Sequence, residues 1–388
     1  MERLINKTKG DRWIWLIVIL LSVWSVLAVY SATGTLAYKQ GVGSEQFLVK
    51  HLVMIIGGIA LMYFSHLLDY RHYAGISKIL MIITIPLLMY TLLFGNHVND
   101  ASRWVTIPII NQTFQTSDLA KLALITFLAR TLSKKQENIK DAKKAFLPIM
   151  GSVCIIFILI LPANLSTAVM LFGVSILLLI VGRISIKQIS IVGLAGLVIL
   201  TSVVLIGKGR SATWMSRIEV FMHPEKADPD KSFQANQSKI AIATGGVFGK
   251  GPGNSTQRNF LPHPYSDFVF ALIIEEYGLV GGVGLVLLYL VFLYRCTLIV
   301  THSPKAFGAL LAAGLSFSLT IQAFANMAVA VGLGPVTGVP LPLVSMGGTS
   351  ILFTSVAFGI ILSVSRDIDE KKEKSKEKVI VGEIPAMG

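Results

Sequence analysis

The chain has 388 residues, 53% of them hydrophobic and 14% charged, with a mean hydropathy of +0.70. A water-soluble globular domain carries about 25% charged residues, so this composition excludes a single solvated domain and points to a membrane protein. The net charge of +13 could suit a nucleic-acid partner, but the basic residues sit mostly in short gaps between apolar runs, so none is expected.

A bilayer core of about 30 Å takes about 20 apolar residues per helix. That ruler finds ten runs, at 13–33, 48–68, 76–94, 118–132, 146–162, 164–182, 187–206, 268–299, 306–333 and 347–365. The expected fold is therefore an all-α polytopic integral membrane protein with about ten transmembrane helices, forming one domain over residues 1–366. The first run is too long for a signal-peptide core and lacks a small-residue cleavage site, so it is expected to be retained. The split between the fifth and sixth runs rests on Pro162, Ala163 and Asn164. Basic residues flanking the short loops set the orientation. Arg3, Lys7, Lys9, Arg12, Arg71, Lys78, Arg130, Lys134, Lys135, Lys140, Lys143, Lys144, Arg183, Lys187, Arg295, Lys305 and the tail from Arg366 to Lys378 fall on one side, and the short loops opposite hold little more than Lys39, Lys50 and Arg103. Both termini are then cytoplasmic, and the long loop between the seventh and eighth runs, residues 207–266, is extracytoplasmic. The segment 367–388 is charged and poor in aromatics, and reads as a disordered cytoplasmic tail.

Polar chemistry concentrates at the outer ends of these runs. Arg103 and Trp104 precede the fourth run, and Asp118 and Lys121 lie three residues apart, on one helical face and able to pair. One reading is an ion pair that only holds helices together; the other is a cationic site for a lipid-linked phosphate. In the long loop, QSKIAIATGGV at Gln237–Val247 leads into Gly249, Gly251, Pro252 and Gly253. Such a glycine density reads either as a nest of backbone amides for an anion or as a plain turn. Asp267 stands at the mouth of the eighth run, as a helix cap or as a partly desolvated base. Glu275 and Glu276 lie two turns deeper, where ionisable groups are functional candidates. The Gly- and Pro-rich stretch Asn326–Ser350 is expected to dip inward and line a cleft, because non-helical backbone at membrane depth needs protein or water around it. The seven histidines show no paired spacing, and Cys154 and Cys296 sit in apolar runs as buried thiols, so no metal site is expected.

Taken together, SRWVTIPIINQTFQTSDLAK, RIEVFMHPEKADPD, SKIAIATGG, FGKGPGNSTQRNFLP, SDFVFALIIEEYGLVG and NMAVAVGLGPVTGVPLPLVSMGGTS, in that family's order, resemble the SEDS proteins (shape, elongation, division and sporulation) over nearly the whole chain. GPGNSTQRNFLP is similar to the FtsW and SpoVE division branch more than to the RodA elongation branch. The resemblance implies a peptidoglycan glycosyltransferase that polymerises lipid II at the outer face of the cytoplasmic membrane, at the septum. It also implies a class B penicillin-binding protein (transpeptidase) and other division proteins as partners. A lipid II flippase and a non-catalytic scaffold are the alternatives. By the same resemblance Asp267 is the catalytic carboxylate, and Arg103, Asp118, Lys121, Lys250, Asn254, Ser255 and Gln257 are assigned to substrate binding. No intrinsic cofactor is implied, although a divalent cation such as Mg or Mn would share the diphosphate's charge.

Three departures from the family pattern are evident. QPSE reads Gln115-Thr116-Ser117-Asp118, PEAHTDF reads Pro262-His263-Pro264-Tyr265-Ser266-Asp267-Phe268, and QPDLGTA reads Pro162-Ala163-Asn164-Leu165-Ser166-Thr167-Ala168. Asp118 shortens the first motif's acid by one methylene but keeps Lys121 as its partner, Asn164 replaces the third motif's acid with an amide, and the roles of the second motif's missing Glu and His are not carried over.

Overall fold

The computed structural model describes residues 9–41, 43–98, 101–107, 112–205, 210–223, 229–261 and 264–382. Helices dominate: α1 (Arg12–Gln40), α2 (Ser44–Leu67), α3 (Tyr70–Phe94), α4 (Thr116–Lys134), α5 (Leu147–Ile160), α6 (Leu165–Val181), α7 (Ile186–Leu205), α8 (Arg210–Met222), α9 (Pro229–Gly245), α10 (Val269–His302), α11 (Ala306–Ala330) and α12 (Thr349–Gly382). Among the described residues seven segments are long and apolar enough to cross a bilayer: Arg12–Gly34, Ser44–Leu67, Tyr70–Phe94, Ala142–Ile160, Val269–His302, Ala306–Ala330 and Thr349–Glu373. The apolar helices in α6 and α7 are shorter, and α4 carries Asp118, Lys121 and Arg130 within its span. Each of the ten expected runs thus coincides with a helix, seven of which satisfy length and hydropathy on their own. Apolar side chains cover the outside: Ile56, Ile82 and Leu93 are 65%, 70% and 71% exposed. A surface of this kind is a liability in water and the expected contact with lipid tails.

Four details depart from the sequence expectations. The fold is not purely helical, because β1 (Asn96–Val98), β2 (Ala101–Ile107) and β3 (Gln112–Gln115) form an antiparallel sheet in the order β1-β2-β3. Trp104 pairs with Asn96 on one side and Gln115 on the other, and β3 runs straight into α4. The long connection 207–266 is built largely of α8 and α9, neither of which is apolar enough to be a span. The tail expected to be disordered continues α12 as helix to Gly382, supported by the i,i+4 pairs Arg366–Glu370 at 3.7 Å and Lys371–Asp367 at 2.7 Å; residues 383–388 lie outside the described residues. Of the two thiols only Cys296 is buried; Cys154 faces outward from α5, where an apolar surroundings of lipid suits it equally.

Four basic residues bind groups on other elements. Arg295 binds Asp11 at 2.5 Å, Arg71 binds Asp367 at 2.8 Å, Lys9 binds Glu373 at 3.3 Å, and Arg366 donates to the Leu67 carbonyl at 3.0 Å. Asn164 fills the position of the family's acid as a helix cap: its side chain accepts from the Thr167 amide, and the break it makes separates α5 from α6.

α10 is broken at Gly278, which adopts φ 68° and ψ −169°. In an unbroken helix the Leu279 and Val280 amides would bond the Glu275 and Glu276 carbonyls. Here they turn to the Gly246 and Val247 carbonyls at 3.0 and 3.2 Å, and the two abandoned carbonyls accept from the Lys250 and Gly251 amides, both at 2.9 Å. The loop after α9 therefore satisfies all four of these backbone groups, so that none of them is left unpaired by the break. This close approach explains the glycines. A side-chain carbon at Gly245, Gly249 or Gly278 would strike the Ile274, Glu276 or Val247 backbone respectively. Gly278→Ala is expected to destabilise the protein by at least about 1–3 kcal/mol from backbone strain, with further loss from the displaced loop. Thermal unfolding of the detergent-extracted variant checks this, and an unchanged midpoint refutes it.

Candidate functional site

Asp267 sits two residues before α10 and is half-buried. Its neighbours come from segments far apart in sequence. Ser266 donates from Oγ to Asp267 Oδ1 at 2.8 Å, and Oδ2 lies beside Gly338, whose missing side chain leaves the space open. From α11, Asn326 donates through Nδ2 to the Asp267 carbonyl at 2.9 Å and to the Val339 carbonyl at 2.7 Å. Ser345 donates to the Ser266 carbonyl at 2.6 Å, and the Met346 amide to the Tyr265 carbonyl at 2.8 Å. The Gly- and Pro-rich stretch after α11 thus folds inward and clasps the segment that carries Asp267.

Arg217, on α8, faces the same place. Its Nη1 donates to the Val336 carbonyl at 3.0 Å. Burial lowers the pKa of its guanidinium from the ordinary value, while the nearby Asp267 charge acts in the opposite sense. Burial, and after it the same carboxylate, push the Tyr265 phenol up. Arg217 also lines a cavity of about 530 Å³ between α8, α9 and residues 332–336, together with Asn236 and Lys239. Asp267 is not among that cavity's lining residues; Arg217 is what joins the two.

Asp118 and Lys121 pair as their spacing requires, at 2.8 Å, with Asp118 only 4% exposed. Lys121 also donates to Gln322 Oε1 at 2.9 Å, and Gln322 donates to the Pro340 carbonyl at 2.9 Å. Gln322 and Asn326 stand one turn apart on α11, so the ion pair reaches the Asp267 segment through the loop they both hold. Arg103 lies on β2, and its side chain, like His263 and Pro262, is outside the described residues.

Lys250, Asn254, Ser255 and Gln257 form a different arrangement. All but Asn254 turn toward Glu275, which is fully buried. Its carboxylate accepts from Lys250 Nζ at 2.6 Å, Thr256 Oγ1 at 2.8 Å, the Thr256 and Gln257 amides at 3.1 and 3.2 Å, and the Ser255 hydroxyl. Asn254 donates back to the Lys250 carbonyl at 3.1 Å. Beside it Glu276, 2% exposed, accepts from the Ser31 hydroxyl, and Arg258 donates to the Ser31 carbonyl at 3.2 Å. Adjacent glutamates are both buried because the break at Gly278 lets the loop enclose them from either side. These polar groups serve as a clasp on the broken helix, so the lysine read as a phosphate cation already has a carboxylate partner. Among the described residues no three His, Cys, Asp or Glu side chains converge as a cation cage.

The sequence reading missed Arg217, Lys239, Gln322 and Asn326. Arg217 opens the RIEVFMHP stretch and Asn326 the NMAVAVGLGP stretch, so both were in view as motif positions without a role.

The whole arrangement has known counterparts. A family model described as "Cell cycle protein", covering FtsW, RodA and SpoVE, matches residues 11–370. The chain belongs to that family. Stage V sporulation protein E of Bacillus subtilis is 35% identical over 365 residues, 93% of this chain and 98% of that protein. The peptidoglycan glycosyltransferase MrdB of Escherichia coli is 32% identical over 92% of this chain and 94% of its own length. A probable peptidoglycan glycosyltransferase FtsW of Geobacter metallireducens is 33% identical over 92% of this chain and 94% of its length. Among solved structures, one describing how a peptidoglycan synthase complex coordinates polymerization and crosslinking is 26% identical, with a TM-score of 0.73 over 92% of this chain and 98% of that one. The rod shape determining protein RodA of Thermus thermophilus, 24% identical with a TM-score of 0.68 over 92% and 97% of the two chains, shares the fold. This family member is accordingly a multi-pass membrane protein and an enzyme of the glycosyltransferase class.

Proposed function

We propose that this protein polymerises lipid II into glycan strands at the outer face of the cytoplasmic membrane, during septal wall synthesis, with Asp267 as the general base. All ten apolar helices cross the membrane in this reading. Both termini are cytoplasmic, and the connection 207–266 and Asp267 lie outside. The observation that carries it is the half-buried Asp267 carboxylate, held at Oδ1 by Ser266 with Arg217 beside it. The acceptor sugar's 4-hydroxyl gives its proton to the carboxylate while its oxygen bonds to the anomeric carbon of the donor. The bond from that carbon to the lipid diphosphate breaks, and the diphosphate leaves with the electron pair. Lys121 and Arg103 stay candidates for approaching the substrate from the α4 side, with Asp118 orienting Lys121. Asn254, Ser255, Gln257 and Lys250 act on the substrate only through the clasp they form. The RodA-type relatives leave an elongation role as the sub-family alternative. The solved synthase complex supports a class B penicillin-binding protein as partner.

A lipid flippase would use a broken helix to open a midplane cavity. The break at Gly278 is instead filled by backbone, which favours polymerisation over flipping. Purified protein with its transpeptidase partner and lipid II decides the matter. Wild type should yield glycan polymer on a gel and Asp267→Ala none; equal yields would remove the assignment.

A further inference from the structure

The diphosphate needs cations, and those first considered are engaged elsewhere. Lys250 is bound to Glu275 at 2.6 Å and Lys121 to Asp118 at 2.8 Å, so either would have to leave a buried carboxylate to serve a substrate. The cavity between α8, α9 and residues 332–336 holds two other cations, Arg217 and Lys239. Among the described residues no salt bridge reaches either of them. The bond Arg217 makes is to a carbonyl, which leaves most of its five donors for another acceptor. The Lys239 stem lies across Gly332, where any side chain would collide with it, and Ser238 anchors that turn of α9 by donating to the Ala330 carbonyl at 2.7 Å. Asn236 adds an amide at the rim, and Val220, Phe221, Val329 and Val336 supply apolar walls that strengthen charge interactions inside.

We propose that this cavity seats the diphosphate of the lipid-linked substrate, with Arg217 and Lys239 taking its oxygens. The proposal rests on the glycosyl-transfer reading and adds the position of the leaving group. Arg217 then spans the two halves of the reaction, since the same side chain that meets the diphosphate lies beside Asp267. Burial disfavours the charged guanidinium, and an anion in the cavity offsets that penalty.

Full-length protein in nanodiscs, titrated with a fluorescent polyprenyl diphosphate, with inorganic diphosphate and with the uncharged polyprenol, tests this directly. Arg217→Gln and Lys239→Gln should each weaken both diphosphate ligands about tenfold to a hundredfold, the scale of a charge-assisted contact, and leave polyprenol binding unchanged. Lys239→Arg should restore most of the loss. Lys239 is exposed, so its variants report on binding even where Arg217→Gln fails to fold. Diphosphate affinity within twofold of wild type in Lys239→Gln, or equal affinity for polyprenol and polyprenyl diphosphate, overturns the site. The two proposals fail separately. A chain that polymerises lipid II through Asp267 but binds diphosphate indifferently to Lys239 loses this site alone. A chain that binds diphosphate through Lys239 yet makes no polymer loses the polymerase reading alone.

Discussion

Asp267→Asn is expected to slow glycan-strand formation about 10²–10⁴-fold, the usual contribution of a positioned general base. The substitution keeps the shape that Ser266 and Asn326 hold, because Asn326 bonds the Asp267 main chain and not its carboxylate. The loss should therefore fall on the turnover number. Substrate affinity should be unchanged or tighter, since removing a negative charge beside Arg217 leaves that guanidinium more available to a phosphate. Single-turnover assays with lipid II separate the two quantities. A fall of less than tenfold would place the base elsewhere.

The second large effect is structural. Glu275→Ala should destabilise the protein by about 3–5 kcal/mol, the cost of deleting one member of a buried charged network. The deletion strands the Thr256 and Gln257 amides and the Ser255 hydroxyl, each of which lies against the carboxylate. Lys250→Ala should cost less, because Glu275 keeps its other donors and the lysine is itself partly exposed. Thermal unfolding in detergent compares them. A Lys250 variant as unstable as the Glu275 variant would mean that the ammonium, and not the loop amides, holds the clasp.

Much of this arrangement was legible in the chain. Apolar run length located ten helices, seven of them long and apolar enough among the described residues to cross a bilayer, because the bilayer imposes one ruler on any span. The i,i+3 spacing of Asp118 and Lys121 predicted a pair that the structure forms at 2.8 Å. Asp267 could be read as a boundary residue because apolar side chains follow it at once. The helix break could not be read, since the hydropathy of GLVGGVGLV passes through Gly278 without interruption. Nor could the partner of Glu275: Lys250, Ser255 and Thr256 meet it through a loop whose course no local spacing encodes. Arg217 and Lys239 were hidden for a related reason. A sequence counts cations, but only packing reveals which of them already have a carboxylate.

The interruption at Gly278 also sets a depth. Leu279–His302 alone rises about 36 Å at 1.5 Å per residue, enough to traverse a hydrocarbon layer of about 30 Å unaided. In the proposed reading the turns from Val269 to Tyr277 are thus surplus to the crossing and reach the headgroup zone. In that reading Glu275 and Glu276, which would be ruinous among acyl chains, stand at the waterline, where the incoming saccharide and its polyprenol anchor would part company.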